Sequence, residues 1–139
     1  MQYMTRIKLL RYVLIVLGLI SLFGVYAMTI IWPAGFLWHH GGAAAYLQMI
    51  EGIYATLGVF LLIAAKSPEE HLSLIWFAVW SSLVHAVIMA VQALVYSDER
   101  THLHGDVLIL LIAAAVLGLL TPRRKTVAAF HANRPANSK

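Results

Sequence analysis

The sequence predicts an all-α integral membrane protein, a four-helix bundle with both termini on the cytoplasmic side. Three observations predict it. Of 139 residues, 61% are hydrophobic and 12% charged, with a mean hydropathy of +0.80, whereas a soluble domain carries about 45–50% apolar and about 25% charged residues. The apolar residues gather into four runs, each near the roughly 20 residues that a helix needs to cross a bilayer. The basic residues fall almost entirely on one side of those runs. Length excludes a large extramembrane catalytic domain. The absence of cysteine removes disulfides, thiolate metal sites and cysteine nucleophiles.

The first run, residues 9–31, is interrupted by a single charge, Arg11, and ends at Trp32-Pro33, where proline cannot continue the backbone hydrogen bonding. It is longer than a secretory signal core and leads into no small-residue cleavage site, so it reads as a retained span. The second run, residues 43–65, follows Gly41-Gly42, contains Glu51 as its one charge and is closed by Lys66. The third, residues 71–96, is preceded by Ser67-Pro68-Glu69-Glu70. Here Ser67 suits a helix cap, Pro68 the first helical position and Glu70 the third residue after the cap. The fourth apolar run begins at Gly105 and would measure only about 24 Å at 1.5 Å per residue. Its helix is therefore expected to start near Thr101 or His102, giving a span over residues 102–120 that stops at Thr121-Pro122. Residues 1–122 then form one transmembrane domain. Residues 123–139 are basic, lack a sustained apolar period and read as a flexible cytoplasmic tail.

Orientation follows from the positive-inside rule. With both ends inside, Arg6, Lys8, Arg11, Lys66, Arg123, Arg124, Lys125, Arg134 and Lys139 are cytoplasmic, and Arg100 alone lies outside. The net charge of +4 is therefore a topological signal and an attraction to anionic headgroups. A nucleic-acid partner would need a basic face with aromatic or motif support, which is absent.

This topology places two polar loops on the outer face. One carries Trp38, His39 and His40; the other carries Asp98, Glu99, Arg100, His102, His104 and Asp106. Trp32, Trp38, Tyr46 and Tyr96 fall near the outer boundary and suit an interfacial aromatic belt. Two ionisable groups lie deeper. Counting from the outer ends of their helices, Glu51 and His85 both sit roughly 14 to 17 Å in, at matched depth. Helical spacing puts Ser81, Met89 and Gln92 on the stripe of His85, and Gln48 one turn outward of Glu51. A carboxylate at mid-span costs on the order of 3 kcal/mol on insertion scales, so Glu51 is expected to face the bundle, either protonated or paired with His85. The expected polar path comprises Glu51, His85, Gln48, Gln92 and Ser81, with Asp106 nearer the surface. Against it stands a packing reading, in which these groups make interhelical hydrogen bonds beside the small-residue stripes Gly52/Ala55/Gly58, Ala86/Ala90/Ala93 and Ala114/Gly118.

A second reading is a copper or zinc site. His102, His104, His39 and His40 offer imidazole ligands, and His85 with Met89 suits cuprous ion. The ligand types fit; the spacing is not diagnostic, and no His-Glu-x-x-His helix is present. Phosphate-binding loops, dinucleotide fingerprints and Gly-x-Ser-x-Gly elbows are likewise missing. A Glu and a His facing one another could still transfer protons on a lipid-like substrate, which leaves enzyme status open.

Several local sequences carry a resemblance. They are the run from Tyr46 through Glu51 to Gly58 (YLQMIEGIYATLG), Ser67-Pro68, His71, Leu74-Ile75, the run from Trp80 to His85 (WSSLVH), Met89 and His104-Gly105-Asp106. With these, the chain from about Arg11 to Pro122 resembles a family of small four-span bacterial membrane proteins catalogued as a domain of unknown function. The resemblance implies a four-helix fold and a bacterial cytoplasmic membrane, and it carries no activity or ligand. The motifs of the four-span eicosanoid and glutathione family are not visible.

The expected function is a small binding or accessory membrane protein, its outward-opening polar site taking a small ligand, a lipid or a proton. The alternatives are the copper or zinc protein and the proton-transfer enzyme. The expected partners are the lipid bilayer and, through the small-residue stripes, further copies of the chain or a larger membrane complex.

Overall fold

The computed structural model describes residues 2–32 and 44–132. Every element among them is helical. Helix α1, Gln2–Leu19, continues through a π-helical turn, Ile20–Gly24, into α2, Val25–Ile31, as one uninterrupted rod. At the wide turn the N–H of Val25 bonds back five residues to the carbonyl of Ile20. Helix α3 spans Ala44–Ala64, α4 Leu72–Val95, a 3-10 helix Ser97–Leu103, α5 Asp106–Leu120 and α6 Arg124–Ala132. Three stretches are long and apolar enough to cross a membrane: Tyr3–Ile31, Leu72–Val95 and Ser97–Leu120. The apolar part of α3 among the described residues, Gln48–Ala64, is shorter.

Near the start of α1 and the end of α5, four helices converge on one core. Leu10 and Leu14 of α1, Leu61 and Ala64 of α3, Ile75, Ala78 and Val79 of α4 and Leu117 of α5 are all buried there, with Ala65 just beyond α3. Polar contacts seal that end. The Arg6 guanidinium donates from Nε to the Leu120 carbonyl (2.9 Å) and from Nη2 to those of Leu119 (2.6 Å) and Thr121 (3.3 Å). It thereby satisfies carbonyls that the end of α5 leaves without helical partners. Arg11 donates to the Lys66 carbonyl after α3 (3.1 Å), and the Tyr3 hydroxyl donates to Glu69 (2.5 Å).

Helices α1 and α3 cross backbone to backbone. A Cβ placed on Gly58 would stand 2.6 Å from the Gly18 carbonyl oxygen and 2.8 Å from the Leu22 nitrogen. Only glycine permits that approach, and the π-helical turn begins two residues past Gly18. Towards the other end the core narrows to a second cluster, Ala86, Met89, Val107 and Leu110, with Tyr54 and Ala90 packed against it. The surrounding surface is apolar: Phe23 (65% exposed), Ile31 (71%), Ile53 (68%) and Val95 (68%) point outward. In water such a surface would aggregate; in a bilayer it is solvated by acyl chains.

Two local expectations are modified. Ser67-Pro68-Glu69-Glu70 does not cap α4. It forms a turn of its own, in which the Glu70 and His71 amides donate to the Ser67 and Pro68 carbonyls, and the helix starts after it at Leu72. Glu69 is drawn to Tyr3 instead of the helix start. In the segment expected to be a flexible tail, residues 124–132 are helical, and the Phe130 ring stacks on Tyr3 with centroids 4.3 Å apart.

Candidate functional site

The polar cluster of the described structure is built where α4 turns into α5. Helix α4 stops at Tyr96, which is extended (φ −101°, ψ 109°), and the chain then curls through the 3-10 helix. With three residues per turn, side chains three apart stack on one another. Glu99 and His102 are such a pair, and both face inward: Glu99 is 1% exposed and His102 0%. Four residues on, Asp106 opens α5. Its Oδ1 accepts the Val107 N–H (2.8 Å), and its Oδ2 stands 3.0 Å from His102 Nδ1. The partial positive charge of the helix N-terminus favours a carboxylate at that position.

The His102 imidazole therefore lies between two carboxylates. Nδ1 makes a hydrogen bond with Asp106, whereas Nε2 is 3.2 Å from Glu99 Oε2. The second contact meets an ion-pair distance but not hydrogen-bond alignment, so it is an electrostatic contact first. Val107, the residue after Asp106, belongs to the apolar cluster against which Tyr54 of α3 packs. The Tyr54 hydroxyl is 3.4 Å from His85 Nδ1, with ring centroids 5.8 Å apart at 48°. Tyr54 is seated by Ala86, Met89, Val107 and Leu110, the cluster immediately beneath Asp106. The result is two polar groups, Glu99–His102–Asp106 where α4 turns into α5 and Tyr54–His85 between α3 and α4, with Tyr54 packed against the apolar cluster that holds Val107. Arg100, Thr101 and His104 are exposed above it.

Of the residues singled out in the sequence, His102 and Asp106 come together here, and His85 meets Tyr54. Glu51 is half-buried on α3, three residues before Tyr54. No ion pair or hydrogen bond between Glu51 and His85 occurs among the described residues, and Tyr54 takes the place beside the imidazole. Depth along a helix is set by residue count, but direction is set by the 100° advance per residue, and α4 meets α3 on the side of Tyr54. Gln48 and Gln92 are exposed. Ser81 is half-buried and donates to the Ala78 carbonyl one turn back (3.3 Å). Met89 is buried in the apolar cluster, and His104 is exposed. His39 and His40 lie outside the described residues. Among those residues no group of three or more His, Asp or Glu side chains could hold a metal ion. The cluster's two unanticipated members were visible in outline. Glu99, His102 and Asp106 recur at three and four residues in the run E-R-T-H-L-H-G-D, and Tyr54 stands three residues after Glu51.

Three apolar stretches long enough to cross a bilayer define a multi-pass helical membrane protein. A family model described as a family of unknown function, DUF6632, matches residues 4–135, and the chain belongs to that family. No curated protein and no solved structure matches it.

Proposed function

We propose that this is a four-span protein of a bacterial cytoplasmic membrane, both termini inside, which binds protons at the outward-facing cluster Glu99–His102–Asp106–His85–Tyr54. The observation that carries the reading is the fully buried His102, held between two carboxylates. Imidazole is the side chain whose ordinary titration range falls near neutral pH. A proton needs no cavity, only groups that share its charge. His85 enters the set through Tyr54, which packs against the apolar cluster holding Val107, the residue after Asp106. The nine-to-one division of basic residues supports the orientation, and the resemblance around Glu51 and His85 supports the bacterial membrane. The proton is favoured over copper or zinc by the placement of the ligands: both His102 nitrogens face carboxylates, and Met89 is committed to the apolar cluster.

The test is a pH jump on the purified full-length protein in neutral detergent, followed with an indicator dye. The wild type should take up about one or two more protons per chain between pH 8 and pH 5 than the His85→Asn/His102→Asn variant. Equal uptake by two equally helical proteins would refute the reading.

A further inference from the structure

We propose that α6 is an in-plane helix that binds the anionic phosphodiester headgroups of the leaflet at which α1 begins and α5 ends. The proposal does not use the outer polar cluster and stands independently of it. Helix α6 is tied at both ends to the membrane boundary. Its first residue, Arg124, comes four residues after Leu120, the last residue of the apolar stretch Ser97–Leu120. Near its other end, Phe130 stacks on Tyr3, the residue that opens the apolar stretch Tyr3–Ile31. One turn along from Tyr3, Arg6 holds the carbonyls of Leu119, Leu120 and Thr121, so the start of α1 and the end of α5 lie at one level. A helix of nine residues, about 13 Å long, with both ends at that level runs along the boundary and not away from it.

The chemistry of this helix suits a phosphate layer. Residues 123–139 contain Arg123, Arg124, Lys125, Arg134 and Lys139 and no acidic residue. Val127 and Phe130, three apart, are half-buried, and Arg123 is exposed just before the helix. Lys8 and Lys66 are exposed at the same end of the bundle. The acids there are Glu69 and Glu70 of the inner turn, and Glu69 already accepts the Tyr3 hydroxyl. A short basic helix fixed within the headgroup layer meets anionic lipid at high local concentration, and each basic residue near such a surface strengthens binding about fivefold.

The full-length protein in neutral detergent, titrated with phosphatidylglycerol or phosphatidylcholine and examined by native mass spectrometry, tests this directly. Phosphatidylglycerol should be retained preferentially. The triple substitution Arg123→Gln/Arg124→Gln/Lys125→Gln should weaken that retention tenfold or more while leaving phosphatidylcholine unchanged. Raising salt from 0.05 to 0.5 M on the wild type, which needs no variant to fold, should weaken it too. Equal retention of the two lipids, an anionic preference indifferent to salt and to the substitutions, or full displacement by millimolar inorganic phosphate would each overturn the assignment to lipid headgroups.

Discussion

Replacing His102 with leucine will lower the unfolding free energy by about 3–5 kcal/mol, the range found when one partner of a buried charged set is removed. The substitution adds apolar volume but takes away the imidazole between Glu99 and Asp106. Glu99 is 1% exposed, so its carboxylate cannot regain hydration without opening the turn between α4 and α5. The loss should be strongly non-additive. Adding Glu99→Gln and Asp106→Asn to the His102→Leu protein removes the stranded charges and should restore much of the stability. Unfolding in mixed micelles with increasing sodium dodecyl sulfate gives the comparison. If His102→Leu proves neutral, or if the three changes simply add, the cluster is not an electrostatic unit.

Gly58→Leu should have an effect at least as large, at the other end of the same fold. Even the single methyl of Gly58→Ala places a carbon 2.6 Å from the Gly18 carbonyl oxygen and 2.8 Å from the Leu22 nitrogen. Both obstacles are backbone, so neither can rotate away. The gain in helix propensity from Gly to Ala, about 1 kcal/mol, is offset by overpacking costs of about 1–3 kcal/mol, and leucine adds three more carbons at the same crossing. Gly58→Ala should therefore be destabilising and Gly58→Leu should separate α1 from α3. Gly52→Ala, on the same helix but with nothing within 4 Å of its added carbon, should be neutral or mildly stabilising. A pair of cysteines placed across α1 and α3 reports the separation through its cross-linking yield. Equal yields in Gly58→Leu and wild type would show that the crossing tolerates side chains.

The helical, membrane-embedded class was legible because it rests on composition and run length, which local sequence carries directly. The π-helical turn at Ile20–Gly24 was not legible, since it coincides with the approach of another helix at Gly18 and Gly58 and no motif announces it. The site was read in part. Matched depth placed Glu51 opposite His85, but the contact belongs to Tyr54, because the azimuth of a residue on a helix counts only once the neighbour's position is known. The sequence places Glu99 in an outer polar loop between spans, with no signal for its burial. Its burial depends on the 3-10 geometry that stacks it on His102, and propensity does not distinguish that geometry from a loose connection. The helix over Arg124–Ala132 was hidden for a similar reason: its half-buried Phe130 makes sense only beside Tyr3, more than a hundred residues earlier.

The central claim is that His85 and His102, imidazoles from different elements, belong to one proton-binding set. It is tested most directly by following the ring signals of His85 and His102 through a pH titration by nuclear magnetic resonance, in the wild-type protein and in Asp106→Asn. The account predicts that the single substitution changes the titration of both histidines together, although His85 lies on α4 and His102 on the connection beyond it. A change confined to His102, with the His85 curve superimposable on the wild type, would contradict it.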